Sequence, residues 1–281
     1  MTRDTMLQLL KEETVHYMPN PGNGGDALIA SGAFSFFKSN NINFKILAKD
    51  TEINSLKGKC VAYAGGGNFI DEYPAAAEFF AKSHKIASKL IILPHTVKGH
   101  QALLKSFGDN VYIFCREKVS YEYVSETIQN ANVFLSEDLA FELNHTELMK
   151  QSGNYPSKLF IKYATRSVLN LQNPLSLNAF RYDVEKTKIE VPKGNIDVSQ
   201  AINYISSMND IELVDQTTAD IFKFINHFKQ VNTNRLHIAI ASALLGKSVN
   251  FYPNSYYKNK AIYEQSLREF KNVKFHNDIG Q

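Results

Sequence analysis

The chain has 281 residues, 44% hydrophobic and 21% charged, a composition that supplies a sizeable core and a length that suits about two domains. Its formal charge of +3, from 31 basic and 28 acidic residues, excludes a nucleic-acid footprint but leaves room for a local basic pocket. The opening segment lacks the apolar stretch of a signal peptide, and no window approaches the ~20 apolar residues of a membrane span. Cys60 and Cys115 lie in apolar runs without metal or redox spacing. These features predict a cytoplasmic protein with two free thiols and at most peripheral membrane association.

Short apolar runs alternate with helix-length segments. Val15–Met18 reads as a strand ending at the turn Asn20–Gly25, and Asp26–Asn40 as a helix with Leu28, Ile29, Gly32 and Phe36 on one face. Phe44–Ala48 and Cys60–Ala64 are strands, the second entering Gly65-Gly66-Gly67. Pro74–Lys89 is helical, and Leu90–Leu93 is a buried strand stopped by Pro94. Val111–Arg116 and Asn132–Leu135 are strands flanking the helix Ser120–Gln129. Repeated β–turn–α units predict a parallel sheet covered on both faces. Leu143–Asn178 is less regular and holds a candidate helix over Tyr163–Leu171; a boundary here gives domains 1–150 and 151–281. Alternation then resumes: strand Asn178–Tyr182, helix Val198–Met208, strand Ile211–Val214, helix Ala219–Phe228, helix Leu236–Leu245, strand Ser248–Tyr252 and terminal helix Tyr256–Phe270. The expected class is α/β, with ligands bound at the C-terminal ends of strands in a cleft between two halves.

Asn23-Gly24-Gly25-Asp26 joins a strand to a helix. The glycines leave backbone N–H groups accessible, and a helix N-terminus behind them attracts an anion or a polar sugar. The plainer reading is a tight turn with Asp26 as N-cap. Gly22-x-Gly24-x-x-Ala27, with Asp50 ending the second strand, is also a loose match to a dinucleotide fingerprint. Gly66, Gly67 and Asn68 follow a strand and admit a close ligand, or else form a tight strand-to-helix turn. His95, at the expected end of its strand, is a candidate for hydroxyl contact or proton transfer; a surface-loop histidine is the alternative. Arg116 at a strand end suits a carboxylate or phosphate, or a salt bridge to Glu117 or Glu137.

Asn234-Arg235-Leu236-His237 precedes the apolar helix. Two cationic side chains in a first turn oppose the helix dipole, which makes sense if an anion binds at that mouth. The alternative is a buried histidine with Arg235 on the surface. Thr233 or Asn234 is the expected N-cap. Arg181, at the first strand end of the second half, should face the same cleft unless it pairs with Asp183 or Glu185 on the rim.

These segments, in this order from about residue 20 to 260, resemble the polysaccharide pyruvyl transferase family. Those carrying the likeness are Gly22–Asp26, Ala64–Asn68, Leu93–Thr96, Phe114–Ser120, Ser136–Ala140, Phe180–Glu185 and Thr233–His237 with Ala241 and Gly246. Leu93-Pro94-His95 departs from the glutamine-containing turn of many relatives. The resemblance implies two Rossmann-like domains in a GT-B-like arrangement facing a cleft, with the terminal helix packing back on the first domain. It implies phosphoenolpyruvate as donor and a sugar or lipid-linked oligosaccharide as acceptor, joined as a ketal. The donor anion maps onto Arg181, Arg235, Leu236 and His237. The acceptor maps onto Asn23–Asp26 and Gly66–Asn68. His237 is the candidate acid and Asp26 the candidate base, with no metal or cofactor expected. A GT-B glycosyltransferase using a nucleotide sugar, or a non-catalytic sugar- or phosphate-binding protein, is the alternative reading.

Overall fold

A computed structural model describes residues 2–150, 175–187, 189–204 and 208–277 of the chain. The candidate helix Tyr163–Leu171 lies outside the described residues. The chain groups into two compact units. The first contains Met1–Pro21, Gly32–Glu142 and a short piece near residue 210; the second contains Gly22–Ser31 and most of the chain beyond Leu143.

The first unit is built on a parallel sheet of β1 (Val15–Met18), β2 (Phe44–Ile46), β3 (Cys60–Tyr63), β4 (Gly66–Ile70), β5 (Lys89–Lys98), β6 (Val111–Cys115) and β7 (Asn132–Leu135). The order is β2-β1-β3-β5-β6-β7, and β4 also pairs with β5. Strand order reverses between β1 and β3, the place where open α/β sheets hold ligands. β5 is buried from Leu90 to Val97, as a strand covered on both faces must be. Val61, Leu90, Ile92, Val111 and Ile113 pack with Phe69, Phe80 and Val124 in one core. No described helix is long and apolar enough to cross a membrane.

Two details at the glycine run and Pro94 differ from the sequence reading. Pro94 does not stop its strand: β5 continues to Lys98, because the ladder with β6 shifts register between Ile92 and His95. A residue without an N–H is tolerated at such an irregularity. The glycine run does not turn into a helix either. Gly66 opens β4, which resumes beyond β3 along the same long partner, pairing Gly66 with His95.

The second unit has four parallel strands, β8 (Ser176–Ala179), β9 (Gln230–Thr233), β10 (Ser248–Phe251) and β11 (Val273–Phe275), in the order β11-β10-β9-β8. Leu177, Val231 and Val249 share the buried face. On the other face Asn232 donates to Asn178 at 2.8 Å and accepts from Asn250 at 2.8 Å, so the amides satisfy one another across the sheet. That ladder explains how the polar run Gln-Val-Asn-Thr forms a strand. Ile211–Val214, expected as a strand, is the start of one amphipathic helix, Ile211–Asn226, whose buried face runs from Val214 to Ile225. Of the expected helix Val198–Met208, Val198–Ala201 forms one helical turn, and residues 205–207 lie outside the described residues. The chain's last helix, Lys258–Gln265, is followed by β11 rather than ending the fold.

After the short helix α1 (Thr2–Lys11), the helix α2 (Gly24–Ser39) buries Phe34, Phe36 and Phe37, with Phe34 and Phe37 edge-on to Tyr17. A Cβ added at Gly32 would stand 2.1 Å from the Leu139 carbonyl oxygen, so α2 approaches that backbone only with glycine there. Helix propensity alone predicts that Gly32→Ala gains about 1 kcal/mol. The expected outcome in urea denaturation is a loss of about 1–3 kcal/mol, because backbone rather than a flexible side chain must give way. A gain would show that the contact is dispensable.

Candidate functional site

The ends of β8, β9 and β10 place a set of polar residues at one edge of the second unit. Arg181 lies two residues past β8, Asn234 and Arg235 directly follow β9, and Asn254 follows β10. Thr233 and Asn234 do not cap the following helix (Leu236–Leu244). The Thr233 hydroxyl donates to the Ala179 carbonyl at 2.6 Å and accepts from the Arg235 amide at 2.9 Å. The Asn234 side-chain oxygen accepts from the Arg181 amide at 2.9 Å. Arg235 itself is the N-cap, with extended backbone and no side-chain cap bond. The helix therefore starts with first-turn amides that its cap residue's side chain does not serve. It is apolar and buried along its length, and Leu236 sits in that core.

A second helix start meets this one. Asn23 caps α2: its side-chain oxygen accepts from the Gly25 amide at 2.8 Å, while Asp26 Oδ2 accepts from the Asn23 amide at 2.9 Å. This reciprocal capping box corrects the reading of Asp26 as N-cap; Asp26 is the third helical residue. The glycines are required for close approach. A Cβ on Gly22 would strike the Asp26 carboxylate, and one on Gly24 would stand 2.5 Å from the Ile202 carbonyl oxygen. One on Gly25 would stand 3.3 Å from His237 Nδ1 and 3.6 Å from Ser199 Oγ. The room that a pyrophosphate would use in a dinucleotide fold is filled from within the chain, and Asp50 is exposed beyond β2. Burial raises the Asp26 pKa above the usual carboxylate range, against the lowering effects of the Asn23 amide and of the His237, Arg235 and Lys258 charges. Asn23, Gly24, Gly25, Asp26, Asn234, Arg235, Leu236 and His237 thus belong to one neighbourhood.

Arg181 and Arg235 are buried and held by carboxylates. Arg181 Nε and Nη2 donate to the two oxygens of Asp183 at 2.6 and 2.9 Å, and Nη1 donates to Glu185 at 2.7 Å. These are the partners raised as the alternative for Arg181; the Glu185 pair is buried, while the Asp183 pair is part-buried. Arg235 Nε donates to Asp197 at 2.9 Å and Nη2 to its second oxygen, while Nη1 lies 2.8 Å from Asp183. Asp197 is the N-cap residue of Val198–Ala201, yet its carboxylate serves Arg235 and not that turn. Lys258 Nζ bonds Glu185, which also accepts from Asn254 at 3.1 Å. Asn259 donates to the Asn234 and Tyr252 carbonyls at 2.8 and 2.9 Å and so braces the site from behind. Burial alone would raise the Glu185 pKa, but Lys258 and Arg181 outweigh it and bring it down to about 2. Asp197, Asn254, Lys258 and Asn259 were not found from sequence. They lie far along the chain, and no spacing rule connects them to Arg181 or Arg235.

The remaining predicted residues sit in the first unit. Asn68 donates to Asn20 at 3.0 Å, and Asn20 donates to the Gly65 carbonyl at 2.7 Å, where strand order reverses. His95 is buried within β5 rather than on a loop. Its Nδ1 lies 3.1 Å from the Ala64 carbonyl and its Nε2 2.9 Å from Asn68 Oδ1. Two oxygen neighbours favour a protonated ring, but burial, joined by Arg116, lowers its pKa to about 3. The neutral ring orients Asn68. Arg116 is 1% exposed and pairs with Asp138 at 2.7 Å, not with Glu117 or Glu137, and also donates to Thr96 at 2.9 Å. Its guanidinium is a core ion pair that fixes the ends of β5 and β6. Gly66 and Gly67 form the start of β4 beside this network. Among the described residues, no group of three or more His, Cys, Asp or Glu side chains is arranged to hold a metal ion.

The family model for polysaccharide pyruvyl transferase matches residues 23–256. The chain is similar to a protein of Bacillus subtilis (strain 168) named "Putative pyruvyl transferase EpsO", 27% identical over 282 residues, covering 89% of this chain and 84% of that one. It is also similar to the crystal structure of a functionally uncharacterized protein, KP1_0663, from Klebsiella pneumoniae subsp. pneumoniae NTUH-K2044. That likeness has a TM-score of 0.77 and 30% identity, and covers 98% of this chain and 96% of the other.

The depressed Glu185 pKa fixes the sign of a pH effect. An unfolded chain takes up this proton near pH ~4.3, well before the folded chain does near its lower value. The stabilisation is therefore complete above that pH and lost as the pH falls through about 2. At neutral pH Glu185→Gln should destabilise the protein by about 3 kcal/mol, because it removes the buried negative charge that Arg181 and Lys258 share. Urea denaturation across the acid range should show the two proteins converging as the pH falls below that of a free carboxylate. A gap that stays constant would contradict the assignment.

Proposed function

The chain belongs to the polysaccharide pyruvyl transferase family, and from that premise we propose that it transfers pyruvate from phosphoenolpyruvate to a hydroxyl pair of a surface-polysaccharide sugar, as a ketal. The observation that carries this reading is the meeting of two helix N-termini at His237, with Asp26 in the same neighbourhood. Helix mouths favour anions through their unsatisfied amides and their dipole. A phosphate leaving group needs such a place.

Ketal formation requires a proton on the methylene carbon of phosphoenolpyruvate, attack of one acceptor hydroxyl on C2, and loss of phosphate as a second hydroxyl closes the ring. Each acceptor hydroxyl loses a proton; one is balanced by protonation of the methylene carbon, the other by the departing phosphate. In this reading His237 holds the phosphate and delivers the proton. Arg181 and Arg235 hold the carboxylate, fixing charge beside the oxocarbenium-like carbon. Asp26 accepts the proton of the acceptor hydroxyl, and burial, by raising its pKa, makes it a stronger base than an exposed carboxylate. The acceptor, a sugar or a lipid-linked oligosaccharide, is read by Asn23 beside Asp26. A cytoplasmic setting accords with Cys60 and Cys115, both buried free thiols whose pKa values are raised by burial, that of Cys60 to about 12.

The test is phosphate release from phosphoenolpyruvate in the presence of a polysaccharide fragment, with the ketal methyl group followed by NMR. His237→Asn and Asp26→Asn should each lower turnover by about 10²-fold or more. Both should keep the wild-type melting temperature, since asparagine at position 26 still accepts from the Asn23 amide. Turnover of a nucleotide sugar without phosphate release from phosphoenolpyruvate would replace this reading with glycosyl transfer.

A further inference from the structure

The carboxylates around Arg181 and Arg235 fall into two kinds. Glu185 and Asp197 are deep, with side chains 8% and 7% exposed, and each holds one guanidinium from behind. Asp183 is different. Its side chain is 30% exposed, and it alone touches both guanidinium groups, taking two N–H bonds from Arg181 and one from Arg235. Its chain neighbours Tyr182 and Val184 are 57% and 73% exposed, so the side chains on either side of Asp183 face solvent. Charge points the same way. Among the ion pairs of the described residues, three buried cations, Arg181, Arg235 and Lys258, face two deep carboxylates, Glu185 and Asp197, and Asp183 supplies a third negative charge at the two guanidinium groups.

We propose that Asp183 is a specificity-determining residue: its carboxylate occupies the subsite that Arg181 and Arg235 build for the carboxylate of a small substrate, and the substrate binds by displacing it. The inference rests on the reading of these arginines as the donor-carboxylate site. A planar carboxylate meets two parallel N–H donors of Arg181 and a third from Arg235, a pattern that a tetrahedral anion matches less well. Glu185 and Asp197 keep both guanidinium groups oriented when Asp183 leaves, so the subsite is preformed. Competition from a tethered carboxylate lowers apparent affinity by the fraction of molecules in which the subsite is open. A neutral solute, or an anion without a carboxylate, gains little from opening it.

Local structure supplies the discriminating variant. Asp183 Oδ1 accepts from the Glu185 amide at 3.1 Å, and the Asp183 carbonyl accepts from the Lys186 amide at 2.9 Å, an Asx-type turn that asparagine also forms. Asp183→Asn therefore keeps the turn and removes the competing charge. Wild type, D183N and D183A would be titrated with phosphoenolpyruvate and with pyruvate by calorimetry, alongside melting temperatures. The expected result is binding of both ligands about tenfold tighter in D183N than in wild type, as removal of a closed state populated about ten to one over the open state predicts. Unchanged or weaker binding of both ligands in folded D183N or D183A overturns the proposal. So does failure of D183N to fold, since a displaceable group cannot be essential to the fold. If pyruvate binding tightens while phosphoenolpyruvate is not bound by any form, the carboxylate subsite stands and the donor assignment falls. If phosphoenolpyruvate binds wild type with no gain in D183N, the donor assignment stands and the role of Asp183 falls.

Discussion

The site depends on the neutralisation of buried guanidinium groups. Arg181 and Arg235 follow adjacent parallel strands, and each would be too costly to leave unpaired at its observed burial. Glu185, Asp197 and Asp183 meet that cost, and Lys258 completes the balance. The local backbone follows from this requirement. Asn234 holds the Arg181 amide, Asn259 holds the carbonyl of Asn234, and Asp197 serves Arg235 instead of its own helix turn. Side chains that would otherwise cap helices are engaged elsewhere, and the N-cap residue of the apolar helix that begins at Leu236 makes no side-chain cap bond.

Glycine sets the second condition. The start of α2 reaches His237 because Gly24 and Gly25 carry no Cβ, and Gly22 gives Asp26 the space to fold back on the Asn23 amide. The result is a carboxyl with a raised pKa that feels the charges of His237, Arg235 and Lys258, all within one compact unit. Perturbed titration in such a cluster is the pattern expected where proton transfer is needed. The buried polar groups of the first unit are of another kind. Arg116 with Asp138, and neutral His95 with Asn68, tie strand ends together and set the orientation of Asn68.

Much of this was legible in the sequence. Alternating apolar runs gave the α/β class and most strands of the first unit, and the basic pair before an apolar helix singled out Arg235, which the structure pairs with Asp197 and Asp183. Failures have local causes. Gln230–Thr233 lacks a strand's usual composition, because its Asn232 is satisfied by Asn178 and Asn250 across the sheet. Ile211–Val214 looks like a strand when cut from the helix it begins. Pro94 ends a strand by rule, but a register shift removes the need for its N–H. Side-chain partners were legible only when close in sequence. Asp183 and Glu185 could be suggested for Arg181, whereas Asp197 and Lys258 come to the site through tertiary packing that no spacing encodes. The glycine turn looked like part of the first half because chain order says so, while its contacts place it beside His237.

The central claim is that one anion-binding neighbourhood, centred on His237 and the two arginines, takes the donor. A crystal structure grown with phosphoenolpyruvate tests it most directly. The account predicts phosphorus at the mouth of the Leu236 helix beside His237, with the donor carboxylate between Arg181 and Arg235 and Asp183 swung out to solvent. A fully occupied ligand lodged elsewhere, with the bridge from Asp183 to both guanidinium groups intact, would contradict it.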